Sequence, residues 1–388
     1  MEFTKTYNDL KGIFSLSNGE TTLEGDSGIF KTMPFVSDSN PIPFNRTGIY
    51  NGVKGYAYAA EDATIAENIQ FSYPVYIPAG GEQYAKAIIL LHGLNERSWH
   101  KYLPWAKYLG DKTNRPVVLF PLAFHMNRSP EQWANPRQMM PLLNSRKKLE
   151  GVQMATFANI ALSQRLSDDP LRFFTSGKQS ADDIVKLLGE IKEGAISFLQ
   201  RDAHIDFFSY SIGSFLSQIL FLANPNDLLS TAKLFIFCGG ALFDQMRGTS
   251  RLIMDSHAYS SLRRYYLHDF PIELKFRSPF SSYVRGGVLG EAFIAMISEE
   301  SNRSFREHRF QQLRNQLRVV ALRKDSVMSA AAVKQAFACT RSDSVYTELD
   351  FPFDYTHENP FPIYPNDKSD EVDKAFEEVF AMATEFLR

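Results

Sequence analysis

Two cysteines among 388 residues, Cys238 and Cys339, are too few for a disulfide framework or a thiolate metal site, and both read as small buried hydrophobes. An excess of charge of either sign is missing as well. A formal net charge of −2 leaves no basic footprint for DNA, RNA or an anionic membrane surface, so no nucleic acid partner is expected. The longest apolar runs, such as 87–91 and 117–120, have strand length. They fall far short of the roughly 18 residues of a spanning helix, and no integral membrane segment is expected. The opening Met-Glu-Phe-Thr-Lys-Thr lacks the basic start and apolar stretch of a secretory leader, which makes a cytoplasmic location the expectation. The Asn-x-Ser/Thr matches at Asn45, Asn127 and Asn302 then carry no weight as glycosylation sites.

Cofactor signatures are absent too. There is no Gly-x-Gly-x-x-Gly fingerprint, and Gly177-Lys178-Gln179-Ser180 has Arg172 where a phosphate-binding loop needs its first glycine. That segment reads as a turn before a helix. The histidines at 100, 125, 257, 268 and 308 fall into no His-Glu-x-x-His or similar ligand spacing, so neither a metal nor a cofactor is expected.

What is present is a large interior. Hydrophobic residues make up 44% and charged residues 22%, with 32 Phe and 17 Tyr, and the length points to one large domain with insertions or a core with a cap. Residues 1–65 are rich in Gly, Pro, Asn and Ser, with short β-prone pieces such as 29–36, and read as an N-terminal extension packed on the core. From Gln70 onward apolar runs alternate with helix-length periodic segments, the βα pattern of a mainly parallel sheet. Strands are expected over 70–77, 86–91, 117–122, 204–210, 233–238, 317–322 and 344–349. Helices are expected over 99–109, 181–199, 212–222, 330–337 and 371–386. The stretches at about 125–178 and 245–313 are too long for plain connections and should carry helices of their own. The second has more Lys and Arg than Asp and Glu, a feature of either an ordinary solvated surface or a cap that favours negatively charged substrates.

The sharpest local signal is His204-Ile-Asp-Phe-Phe-Ser209-Tyr-Ser211-Ile-Gly213, a β-type run that ends in small-x-Ser-x-Gly and passes straight into a helical pattern. A serine on so tight a turn needs small neighbours two positions away on each side, which Ser209 and Gly213 supply. The turn lifts the hydroxyl to a helix N-terminus, where the Ile212 N–H is free to donate to an oxyanion. Upstream, Leu90-Leu91-His92-Gly93-Leu94 closes a strand, and the Leu94 N–H offers a second donor. Downstream, Asp325 lies just past the 317–322 strand, and His357 sits in the polar loop Asp354-Tyr-Thr-His357-Glu-Asn-Pro360 after the last strand. Asp244 in Cys238-Gly-Gly-Ala-Leu-Phe-Asp244 is the alternative acid.

In this order of Ser, Asp and His, the chain resembles the α/β-hydrolase superfamily, serine esterase- or lipase-like, from about residue 70 to the end. The resemblance implies an α/β fold with a mostly parallel, eight-stranded sheet flanked by helices, and helical cap insertions at about 125–178 and 245–313 of a 66–388 domain. It implies Ser211 as nucleophile, His357 as general base, Asp325 (or Asp244) as its orienting acid, and Leu94 and Ile212 as oxyanion hole. The chemistry to expect is cleavage of an ester or related acyl bond in a small-molecule substrate, with amide, thioester and lactone substrates left open. A hydrolase-fold binding or scaffold protein without turnover is the alternative.

Overall fold

The structure, a computed structural model, describes residues 2–23, 25, 28–38, 62–342, 344–363 and 368–388; Asn45 and much of the N-terminal extension lie outside them. Among the described residues nine strands form one sheet: β1 (Glu20–Thr22), β2 (Ile29–Val36), β3 (Gln70–Ile77), β4 (Tyr84–Leu91), β5 (Val117–Phe120), β6 (Leu199–Tyr210), β7 (Leu234–Phe237), β8 (Leu317–Leu322) and β9 (Tyr346–Leu349). Their order is β1-β2-β3-β5-β4-β6-β7-β8-β9. Strands β1 to β3 join antiparallel, β3 meets β5 antiparallel, and every pairing from β5 through β9 is parallel. This mixed, mostly parallel sheet with helices on both faces is the α/β-hydrolase fold.

The strand count differs from the eight expected. The sheet begins inside the N-terminal segment: β2 pairs along its whole length with β3, from Ile29 opposite Ile77 to Val36 opposite Gln70, and β1 adds three residues at the edge. A three-residue strand leaves no periodicity to read, and whether a β-prone piece joins a sheet is decided by its partner's free edge.

Apolar runs form the central strands because both sheet faces are covered. In β4, Ile88 and Leu90 point to one face while Ile89 and Leu91 point to the other. The first face is covered by helices Phe3–Ile13, Leu103–Thr113 and Ser369–Leu387; there Trp105 packs 5.3 Å from the Tyr210 ring and 5.4 Å from that of Phe380. Burial of each such ring contributes about 1.5–3 kcal/mol. Helices Arg172–Glu193, Ile212–Ala223 and Ala330–Phe337 cover the second face.

Two helix boundaries need correction. The helix expected over 99–109 spans Leu103–Thr113, because Pro104 favours the first turn and Asn114 ends it at φ 52°. The expected 181–199 helix spans Arg172–Glu193, because Gly194 adopts φ 81° and Leu199 already opens β6. The Gly177-Lys178-Gln179-Ser180 segment, read as a turn, is therefore interior helix.

The two long insertions follow β5 and β7, at the C-terminal ends of parallel strands, and both are largely helical. Helices Pro136–Arg146 and Ile160–Asp168 lie in the first; Ser256–Arg264, Pro279–Arg285, Val288–Ala295 and Arg303–Leu313 lie in the second. A buried fork joins them: Arg146 Nε donates to Asp255 Oδ2 at 2.7 Å and Nη2 to Oδ1 at 3.0 Å. Asp255 also caps its own helix by accepting from the Ala258 N–H. Asn95, in the turn after β4, donates to Ala158 O and Leu252 O, so both insertions are fastened to the sheet edge that carries Ser211. Among the described residues no helix is long and apolar enough to cross a membrane.

Candidate active site

Strand β6 ends at Tyr210 and helix Ile212–Ala223 begins two residues later, which leaves Ser211 to make the whole turn. It does so at φ 56°, ψ −123°, a conformation an L-residue holds only under external constraint. The constraints are visible: Ser211 N donates to Phe237 O, Gly213 N to His92 O, and Ser214 N to Ser211 O. A Cβ on Gly213 would stand 2.8 Å from both His92 O and Leu91 O, so the position two beyond the serine must be glycine. Ser209 is fully buried on the other side of the turn.

The structure brings Ser211, His357 and Asp325 into one line. Ser211 Oγ lies 2.6 Å from His357 Nε2, and His357 Nδ1 lies 2.8 Å from Asp325 Oδ2, with all three side chains buried. The other Asp325 oxygen, Oδ1, accepts from the Val327 and Met328 amides at 2.8 Å each. A carboxylate that only accepts requires the proton on His357 Nδ1, which leaves the Nε2 lone pair facing the serine hydroxyl.

Asp244 is elsewhere. Its N–H donates to Ile297 O, and its carbonyl accepts from Arg263. Burial pushes its carboxyl pKa up, and the charges around it are Arg263, Arg306 and Glu299. Leu94 and Ile212 are brought to one cavity wall. As the first residue of its helix, Ile212 keeps its N–H outside the helical ladder, and among the described residues neither amide has a hydrogen-bond acceptor.

Two residues that the motif did not single out hold the histidine loop. The Tyr210 hydroxyl donates to the His357 carbonyl, and its ring stacks on the imidazole. Lys101 Nζ donates to Glu358 O at 3.0 Å, lies 4.6 Å over the Tyr210 ring, and pairs with Glu96. Tyr210 is the variable position inside the serine motif, so pattern reading passes over it. Lys101 acts from a helix start far away in sequence, which no local signal could reveal.

His92 has a structural task. Its Nδ1 bonds Gly93 O and its Nε2 accepts from Leu122 N, joining the turns after β4 and β5; burial, with His125 beside it, holds its pKa well below the ordinary value. Trp133, open to either packing or a ligand on sequence grounds, lies under the Arg165 guanidinium at 4.5 Å. Among the described residues no three His, Cys, Asp or Glu side chains group to hold a metal ion.

One protein family, described as a family of unknown function (DUF6051), matches residues 1–388. The chain belongs to DUF6051. No curated protein matches the sequence. Solved structures similar to this DUF6051 member include a cold-adapted esterase from an Arctic intertidal metagenomic library, at 11% identity and TM-score 0.42, covering 96% of this chain and 98% of the other. A thermostable esterase from Pseudomonas putida ECU1011 is similar at 10% identity and TM-score 0.42, over 99% and 88% of the two chains. An esterase from Pyrobaculum calidifontis is similar at 12% identity and TM-score 0.40, over 98% and 90%.

The cavity beside the serine turn leaves about 80 Å³ for the centres of water-sized molecules, within about 760 Å³ of space that includes its open mouth. Its wall is mainly apolar: Phe173, Phe174, Phe215 and Phe293 supply rings, and Leu94 and Ile212 carry it to the serine turn. The first insertion contributes Leu162 and Leu166, the second Leu289 and Phe293.

Proposed function

We propose that this protein is a serine hydrolase that cleaves an ester or related acyl bond of a small or medium organic substrate through an acyl-enzyme. The observation that carries the reading is the continuous chain from Ser211 Oγ through His357 to Asp325 Oδ2, set on a strained turn beside two unengaged amides. Ser211 Oγ attacks the acyl carbon while His357 Nε2 takes its proton. The carbonyl oxygen becomes an oxyanion that accepts from the Leu94 and Ile212 N–H groups. His357 returns the proton to the departing oxygen, nitrogen or sulfur, and the acyl group stays on Ser211. Water then attacks the acyl-enzyme with His357 again as base, which releases the acid and restores the hydroxyl. Throughout, Asp325 fixes the imidazole and offsets its positive charge.

In this reading the two insertions of the 66–388 domain act as a cap over the Ser211 edge of its sheet, excluding water and selecting the acyl group by the aromatic wall they supply. The test is labelling of the folded protein with a fluorophosphonate probe, mapped by mass spectrometry. Modification of Ser211 is expected. Folded protein that stays unlabelled there would sink the hydrolase reading in favour of a binding protein on the same fold.

A further inference from the structure

The turn after β5 is buried and tightly constrained. Phe124 and Met126 both adopt positive φ, 64° and 49°, on either side of His125. Every amide from 122 to 126 is engaged: Leu122 by His92 Nε2, Ala123 by Ser180 Oγ, Phe124 by Asn68 Oδ1, His125 by Leu122 O and Met126 by Glu96 O. Backbone strain of this kind persists only where the surroundings over-determine it. What it delivers is the His125 ring into the wall of the cavity that Leu94 and Ile212 also line.

His125 Nδ1 lies 2.8 Å from Ala123 O, so it carries the proton and the neutral ring presents Nε2 as a lone pair. That Nε2 is buried and has no hydrogen-bond partner. Three other polar side chains of the wall are committed, Ser180 Oγ to Ser176 O, Lys178 to Asp182 and Arg172 to Asp62, and Ser176 adds a hydroxyl. Burial first, then the charges of Arg97, Arg128 and Arg165, pull the His125 pKa down to about 4. The ring is neutral near pH 7 and calls for a donor rather than an anion.

We infer that His125 is a substrate-recognition residue whose Nε2 accepts a hydrogen bond from the hydroxyl of an otherwise apolar, aromatic group seated in this cavity. The inference rests on the hydrolase reading for its biological sense, since the group bound there would belong to the ester. Its ligand chemistry stands on the cavity alone. Phe173, Phe174, Phe215 and Phe293 suit a ring, and an aromatic wall with one fixed acceptor selects a hydroxylated ring over its parent hydrocarbon.

The test uses calorimetry on the wild-type protein with 2-, 3- and 4-propylphenol against propylbenzene, none of which needs turnover. One phenol isomer is expected to bind about tenfold more tightly than propylbenzene, the size of one buried neutral hydrogen bond. In His125→Phe the ratio is expected to fall to about one. Nitrogen-15 NMR of the wild-type imidazole gives a readout without a variant: that phenol, and not propylbenzene, shifts the His125 Nε2 resonance. Equal affinity of all four ligands, no binding of any, or an unmoved Nε2 resonance overturns the proposal. Because these measurements do not involve Ser211, they succeed or fail independently of the fluorophosphonate labelling.

Discussion

The Tyr210 ring lies against the His357 imidazole with centroids 5.7 Å apart and planes 17° from parallel, and its hydroxyl donates to the His357 carbonyl. The residue before Ser211 thus orients the His357 imidazole through both backbone and ring. Tyr210→Phe keeps the ring and removes the hydrogen bond. We expect kcat to fall about tenfold with KM little changed, as misplacement of a catalytic group predicts, and thermal unfolding to move by no more than a few degrees. A change confined to stability would reduce Tyr210 to a packing residue.

Ser211→Ala removes one oxygen and no packing from a turn held by its neighbours. Hydrolysis of any ester that the wild type turns over is expected to drop by about 10⁴-fold or more, with unchanged circular dichroism and melting. Comparable rates in mutant and wild type would end the nucleophile assignment. Ser209→Ala, small for small, is expected to be far milder.

Asp325→Asn keeps the volume yet can donate to His357 Nδ1, which favours the wrong imidazole tautomer. A kcat loss of about 10⁴-fold is expected. Asp244→Asn is expected to cost less than a factor of three, because its surroundings are Arg263, Arg306 and Glu299. Parallel rates on one ester separate the two acids, and an equal loss in both would contradict the geometry.

Acid stability should follow the buried histidines. His125 has its pKa lowered from 6.5 to about 4, so below pH 6.5 the unfolded chain takes up a proton that the folded chain refuses. Stability is therefore complete above about pH 6.5 and is lost as pH falls toward about 4. Between pH 7 and 5 this one group is expected to cost about 2 kcal/mol, with His92 adding in the same direction. Urea unfolding at the two pH values checks it. His125→Asn should show the shallower decline, and an equal decline would mean that His125 is protonated in the folded state.

Gly213→Ala should damage the fold and the site together. The added methyl would meet two backbone oxygens at 2.8 Å, and backbone cannot give way as a flexible side chain does. A loss of about 1–3 kcal/mol by chemical denaturation is expected, with activity below that of Tyr210→Phe. A variant of wild-type stability would show that the elbow has slack.

Much of the architecture is local information. The apolar runs at Gln70–Ile77 and Leu317–Leu322 and the helix at Ala330–Phe337 have the expected bounds, because strand and helix periodicities are written in neighbouring side chains. The small-x-Ser-x-Gly turn is equally local: a serine in a left-handed kink demands small flanks, and Ser209 and Gly213 announce it. The edge strand β1, by contrast, is three residues long, and its pairing with β2 depends on a free sheet edge that only the folded chain provides.

The sequence sets Asp325, just past its strand, ahead of Asp244, but it does not give the contacts that hold either carboxylate. Asp325 reaches the imidazole because the chain turns at once after β8, where the Val327 and Met328 amides grip one carboxylate oxygen and aim the other. Tyr210, Lys101 and His125 take their roles from distance in space rather than in sequence, each answering a carbonyl, a ring or a cavity contributed by another part of the chain. Sequence periodicity determines which segments form and which faces they bury. Only the tertiary structure decides which polar atoms meet there, because a hydrogen bond is set by tenths of an ångström that no pattern of residue types encodes.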